Sequence, residues 1–314
     1  MLSRTADHLY WMARYIERAE NMARVLDVTN NMSLVPNSTR SSSALWRPPV
    51  LIAGGMNTFV EQYGEFNVQN VFRFLALDED NPSSIVSSLG IARENARAVR
   101  VAMPSEMWEN VNALWLELRA RIQRGITESD LGEFCDWVKS CSHLFRGVTF
   151  GTMLRDEAYW FVRLGTFIER ADNTARLLDV KYHALLPSTN GTDGPLDYYE
   201  WSALLRSVSS FQAYQKVFRD TIEPWRVAEL LVLRADLPRS LHACFDELLP
   251  ILDGLHGSTG SECLRQAGEL HARLHYGRME DIFREGLHEF LDDFIQLNNR
   301  LGSEIQRAFL SSSR

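Results

Sequence analysis

Cysteine is scarce in this chain of 314 residues. There are four, Cys135, Cys141, Cys244 and Cys263, and no two form a CxxC pair. That pattern excludes a disulfide scaffold and reads as reduced thiols in a cytoplasmic compartment. Long apolar runs are missing too: no stretch reaches the roughly eighteen residues that a membrane span needs. The opening segment, MLSRTADHLYWMARYIERAE, carries charge throughout and has no apolar h-region. It therefore reads as neither a signal peptide nor a transit peptide. Positive charge is in deficit, with 33 basic residues against 41 acidic and a net charge of −8. Such a balance lacks the broad positive field that nucleic acid or an anionic membrane surface would require. There is no GxxxxGK loop, no GxGxxG after a strand and no GxSxG elbow, so phosphate cradling and nucleophile-elbow chemistry have no sequence support. No segment alternates with a two-residue period, so strands are not expected.

What is present is a duplication. Residues 16–28 read IERAENMARVLDV and residues 168–180 read IERADNTARLLDV, identical at ten of thirteen positions. The correspondence continues downstream. Trp46 and Trp201 open matching segments, LALDEDNPSSI (75–85) aligns with LVLRADLPRSL (231–241), and Leu131, Glu133, Phe134 and Asp136 match Leu287, Glu289, Phe290 and Asp292. A self-match of this length marks an internal repeat. The expected organisation is residues 1–150 and residues 151–314, two halves of one compact unit.

Both halves read as helices. Leu9, Met12, Ile16, Ala19, Ala23 and Leu26 recur at steps of three and four, as do Phe161, Leu164, Ile168, Ala171, Ala175 and Leu178. Each set is the buried stripe of an amphipathic helix. Pro82 and Pro238 fit the first turns of helices, with Asn81 and Asp236 as nearby caps. Ser105 after Pro104 starts another helix, and segments 113–124, 129–147, 262–280 and 285–310 keep helical spacing. Gly54–Gly55 falls within an apolar helical stretch and suggests close packing. Polar breaks occur at 33–42, 187–195 and 256–261. The fold class is all-α: two tandem pseudo-symmetric helical bundles of about five or six helices each.

The repeated helix supplies the candidate site. Glu17, Asn21 and Arg24 lie at i, i+4 and i+7 and share one face, which Arg14 extends by a turn. Glu169, Asn173 and Arg176 form the matching strip, with Arg18 and Arg170 about a quarter turn away. Carboxylates and guanidiniums at this spacing form either salt bridges between helices or a polar site. The candidate catalytic residues are Glu17, Arg18, Glu169 and Arg170. Arg24, Asn21, Arg176 and Asn173 are candidates for binding a ligand or partner. Arg93, Arg97 and Arg100 stand at i, i+4 and i+7 and could grip a carboxylate or phosphate as one row. Arg239, in the LPRSL turn, joins the binding set. No metal site is expected: Glu285 and His288 form a single ExxH, and His271 and His275, four apart, lack an HExxH context. Cys141 and His143 are too close in sequence to face one another on a helix. No cofactor is expected.

The IERAEN-AR helix, the RENARAVR segment at 93–100, SEMWENVN at 105–112 and LPRSL at 237–241 together resemble the Alpha-E family, bacterial all-helical proteins with a Glu-Arg motif. The second half departs from the pattern, since PIL at 250–252 stands where ENA stands in the first. The resemblance implies a setting beside circularly permuted ATP-grasp-like proteins and transglutaminase-like proteins, and so a system that forms peptide or amide bonds. The expected role is an accessory or binding subunit without activity of its own. The alternatives are an enzyme of acyl or amino-group transfer using Glu/Arg pairs between the repeats, and a small-molecule or peptide carrier with an arginine anion grip. An oligomer is compatible with all three.

Overall fold

A computed structural model describes residues 1–34, 41–185, 195–255 and 260–310. It contains fifteen α-helices, and no strand occurs among the described residues. In order they are α1 (Ser3–Ser33), α2 (Ser42–Ile52), α3 (Met56–Gln62), α4 (Val68–Phe72), α5 (Ile85–Ala98), α6 (Ser105–Arg124), α7 (Leu131–Thr152) and α8 (Glu157–Leu185). Then follow α9 (Pro195–Ser207), α10 (Phe211–Phe218), α11 (Pro224–Val232), α12 (Leu241–Leu255), α13 (Ser261–His275), α14 (Met279–Glu285) and α15 (Leu287–Ile305). The all-α class holds, but the helices outnumber the expected five or six per half. Short ones such as α3, α4 and α14 span too few residues to show a period. Segment 262–280 is correspondingly split, α13 ending at His275 and α14 starting at Met279. The polar breaks at 33–42, 187–195 and 256–261 fall largely outside the described residues.

The chain forms two compact units, Met1–Glu169 with Phe309–Arg314, and Arg170–Ala308. The division lies inside α8, whereas the sequence repeat starts again near residue 151. In the first unit α1 packs mainly on α5 and α7, and α6 packs on both of those helices. Its core gathers Leu26, Trp46, Val50, Phe59, Phe74, Leu89, Leu118, Phe134 and Val138. In the second unit α12 packs on α13, α13 on α15, and α11 on α12 and α14. All twelve residues of the two expected stripes are buried.

Two local features explain how the motif helices are held. Gly165 of α8 meets α1 so closely that a Cβ there would stand 2.2 Å from the Tyr10 carbonyl oxygen and 3.3 Å from the Ala13 Cβ. Ala13 and Gly165 are equivalent positions of the repeat. The second feature is the start of α5 and of α12. Ser84 and Ser240 are the capping residues, in place of the expected Asn81 and Asp236. Ser84 Oγ accepts from Ser87 N (3.1 Å) and donates to Asp78 O (2.6 Å). Ser240 Oγ accepts from Ala243 N (2.9 Å) and donates to Arg234 O (2.5 Å). A serine cap satisfies an orphan helical N–H that the earlier residues cannot reach. Pro82 and Pro238 therefore sit in the preceding turns, outside the first helical turn. Gly54 is likewise in a turn: it ends α2 at φ +74°, and a Cβ on Gly55 would strike the Phe74 ring at 2.9 Å.

Candidate functional site

The first half's motif helix lines up charges along α1 at helical spacing, and α7 answers them. Lys139, Ser142, His143 and Arg146 recur at three- and four-residue steps, so they share one face of α7. Lys139 Nζ donates to Asp27 Oδ2 (2.7 Å). Arg24 donates to His143 Nε2 (3.1 Å). Ser142 Oγ donates to Glu20 Oε2 (2.6 Å). Arg146 donates to Glu17 Oε2 (3.1 Å) and also to Glu20. From Lys139 to Arg146 along α7 the partners run from Asp27 back to Glu17 along α1, which makes this an antiparallel polar seam. Within α1, Arg24 Nε reaches Glu20 Oε1 at 2.8 Å. Glu17, Glu20 and Arg24 are all buried, and Glu20 is fully so. A buried carboxylate survives only with its lone pairs satisfied; Glu20 has Ser142, Arg24 and Arg146.

The second carboxylate of the motif, Glu169, lies in the first unit and is gripped from α1. Arg14 Nε donates to Oε2 (2.8 Å), while Arg18 donates to Oε1 (2.6 Å) and Oε2 (3.1 Å). Arg14 is backed by the Trp11 ring at 4.8 Å and Arg18 by the Tyr15 ring at 5.0 Å, contacts that favour guanidinium over ammonium. Burial pushes the Glu169 carboxyl up, but the two guanidiniums outweigh it and hold it at about 2. Such a group stays ionised at neutral pH. It clamps helices and is unsuited to passing protons.

The other motif residues are used locally. Arg170 donates to Pro238 O (3.4 Å), and Thr174 donates to Arg239 O (3.0 Å). Helix α8 thereby holds the LPRSL turn that leads into α12, and Arg239 itself is buried. Arg176 pairs with Asp172 at 2.7 Å, the same i, i+4 geometry as Arg24 with Glu20. Asn21 is buried and Asn173 half-buried.

The arginine row is broken. Helix α5 ends at Ala98, and Arg100 stands in a separate 3-10 turn, Arg100–Ala102. The non-helical backbone of the buried Val99 ends the helix before Arg100, so the expected three-residue row does not form on one helix. Arg93 bonds Asn112 (3.2 Å) and Glu94, and Arg97 bonds Glu94 (2.8 Å). The hydrogen bond from Arg97, opposed by desolvation and helped by a lesser one from Arg93, holds the Glu94 carboxyl below its usual range. Arg97 is exposed and lines an open groove with His8, Glu79, Asp80, Asn95 and Trp115.

Cys135, Cys141 and Cys263 are not activated as thiolates. Burial pushes Cys135 up, Cys141 to about 11 and Cys263 to about 12. His143 is engaged with Arg24 and not with Cys141. His288 pairs with Asp179 at 2.7 Å, and Glu285 ends a different helix, so the ExxH is not a ligand pair on one helix. Three features are not singled out by the sequence: Glu20, the polar face of α7, and the pairing of His271 and His275 with His242 and Asp246 of α12. The signal for each was present as i, i+3 or i, i+4 spacing of polar residues on an otherwise amphipathic helix.

The fold and this geometry define an all-helical protein whose two longest helices carry Glu-Arg pairs sealed into polar seams. The chain belongs to the Alpha-E family, described as a predicted alpha-helical domain with a conserved ER motif, whose family model matches residues 1–310. It is also similar to uncharacterized proteins of Mycobacterium bovis and Mycobacterium tuberculosis, each 26% identical over 313 residues and covering 93% of this chain. The alignment spans only 35% of each relative, so the chain corresponds to about a third of those longer proteins. No solved structure matches it. Among the described residues, no helix is long and apolar enough to cross a membrane.

Proposed function

We propose that this protein is an accessory or binding subunit of a bacterial peptide- or amide-bond-forming system, working in the cytoplasm with an ATP-grasp-like ligase and a transglutaminase-like protein. The observation that carries the reading is the relatives' length: a region like this chain is 35% of each, joined to sequence beyond it. A unit built into longer chains is suited to acting alongside other domains. The charges support a scaffold over a reaction centre. Glu20 and Glu169 are enclosed by arginines, and Glu169 is held at about 2. The free cysteines accord with a reducing compartment.

Exposed apolar side chains supply docking material. Leu144, Phe150 and Leu154 are exposed on and after α7, and Val101 is exposed beside Arg100. The groove edge at Arg97 is where an acidic segment of the ligase would land, displacing Glu94 from the guanidinium. The test is reconstitution of the purified chain with the ATP-grasp-like and transglutaminase-like proteins, together and singly. The expected result is no ATP turnover or amide formation by this chain alone, and a gain in the ligase's output when it is added. Arg97→Glu should weaken co-purification with the fold intact. Turnover by the chain alone would select the Glu/Arg enzyme instead, and a small ligand retained through purification would select the carrier.

A further inference from the structure

We propose that His242, Asp246, His271 and His275 form a binding site for a divalent first-row transition cation, with Zn2+ the ion whose preferences fit best. The site belongs wholly to the second unit and is independent of the accessory reading above. Two adjacent helices each contribute an i, i+4 pair: His242 and Asp246 from α12, His271 and His275 from α13. Residues at that spacing project from one helical face, and α12 packs directly on α13. The sequence brings the pairs together although each alone is unremarkable.

The distances suit a tetrahedron. One ligand atom from each residue lies within 4.8 Å of all the others. His242 Nε2 stands 3.2 Å from His275 Nδ1 and 3.5 Å from Asp246 Oδ1, and His271 Nε2 stands 2.8 Å from Asp246 Oδ1. Bonds of about 2.0–2.1 Å from a tetrahedral zinc place its ligand atoms about 3.3 Å apart. Two of these three edges are therefore already near length, and the His271–Asp246 contact opens by about half an ångström.

The tautomer of His242 strengthens the case. Its Nδ1 lies 2.8 Å from Leu233 O, an atom that can only accept. That nitrogen carries the proton, so in the neutral ring Nε2 presents a lone pair to the cluster. An imidazole braced by an N–H to a backbone carbonyl, with its other nitrogen aimed at a shared centre, is how metal-binding histidines are held. His242 is buried, so its ring is fixed by packing. Three imidazoles with one carboxylate select zinc-like ions over Mg2+ or Ca2+, which prefer all-oxygen shells. Four protein donors fill a tetrahedron, the arrangement of a structural site. A bound ion would cross-link α12 to α13 beside the LPRSL turn that Arg170 and Thr174 hold.

The test uses the untagged full chain, stripped with a chelator and titrated with Zn2+ in a calorimeter, with Co2+ as an absorption probe of geometry. One Zn2+ per chain, a tetrahedral Co2+ spectrum and a rise in Tm on adding Zn2+ are expected. His275→Ala and His271→Ala, both away from the buried core, should each lower Zn2+ affinity by more than about tenfold, since loss of even an outer-shell partner costs about that much. His288→Ala should leave binding unchanged. No binding, equal binding of Mg2+, or Zn2+ affinity unaltered in a His271→Ala/His275→Ala double variant would overturn the site.

Discussion

The two motif helices begin from nearly the same thirteen residues and end in different electrostatic surroundings. On α1, Glu20 is fully buried, and Ser142 and Arg146 of α7 close around it. On α8, the equivalent Asp172 is half-buried and its Arg176 is about a third exposed. The intrahelical pair is preserved, at 2.8 Å in one copy and 2.7 Å in the other. What differs is the facing helix. At the offset that matches Leu131 with Leu287, the places of Lys139, Ser142 and Arg146 are taken on α15 by Ile295, Asn298 and Gly302. The lesson is that a repeated motif fixes a helix and its internal pairs, while the neighbour decides whether those pairs are buried and costly to disturb.

Breaking the pairs should expose that difference. Glu20→Ala removes the carboxylate from a closed seam and leaves Arg24 and Arg146 without it; loss of one partner of a buried pair costs about 3–5 kcal/mol. Asp172→Ala removes a partly exposed i, i+4 partner, worth about 0.5 kcal/mol or less. Urea unfolding of both variants measures the contrast. Equal losses would mean that burial of the α1 seam contributes nothing.

Acid titration sharpens the comparison at Glu169. The Glu169 carboxyl is depressed in the folded protein to about 2 from an ordinary 4.5. A depressed carboxylate adds stability that is fully present above the unfolded value and is lost as pH falls toward the folded one. The contribution is about 3 kcal/mol at neutral pH, an order-of-magnitude figure. Stability of wild type should therefore fall between about pH 5 and about pH 2 more steeply than that of Glu169→Gln. The measurement is unfolding free energy against pH for the two proteins. Parallel curves would show that Arg14 and Arg18 do not hold the charge.

Gly165→Ala tests the close approach of α8 to α1 by backbone. The new Cβ would lie 2.2 Å from the Tyr10 carbonyl oxygen, an overlap that forces the helices apart. Overpacking of this kind costs about 1–3 kcal/mol. The same residue type at Gly132, where a Cβ meets nothing within 4 Å, should be tolerated or mildly stabilising. Thermal melts of the two variants separate a real close approach from a mere helix-propensity effect.

Much of the fold was legible because helical period and repeat reinforce each other. Every residue of the Leu9-to-Leu26 and Phe161-to-Leu178 stripes is buried, as spacing alone indicated. The Glu17–Asn21–Arg24 strip was legible as a face but not as a destination. Its partners on α7 lie more than a hundred residues downstream, in reversed order, and no local pattern joins Asp27 to Lys139 or Glu20 to Ser142. The Arg93–Arg100 row failed for a different reason: the helix stops at Ala98, and no proline or glycine marks the stop. The serine caps were missed because Asn81 and Asp236 are equally good cappers by type. The choice fell to Ser84 and Ser240, whose hydroxyls reach both the helix and the turn. The histidine quartet needed two helices to be read together, and each pair by itself looks like an ordinary polar face.

The smallest effect concerns the aspartates that end the two motifs. Asp27 pairs with Lys139 and Asp179 with His288, both at 2.7 Å. Burial lowers the Lys139 pKa, but hydrogen bonds to Asp136 and Asp27 raise it above its ordinary 10.5, so Lys139 keeps its charge near neutrality. The hydrogen bond to Asp179 raises His288 above 6.5 against a smaller effect of burial. A raised base adds stability that is fully present below its unfolded value and is lost as pH climbs through the folded one. The second copy's pair should therefore weaken from about pH 6.5 upward while the first copy's pair does not. His288 is nearly half exposed, so solvent screening keeps the effect to about 0.2–1 kcal/mol. His288→Ala should flatten the stability profile between about pH 6 and about pH 8.5, and Lys139→Ala should lower it by a constant amount. NMR titration of the His288 ring gives the folded value directly. A value at or below 6.5 would break the pairing with Asp179 and with it the pH difference between the copies.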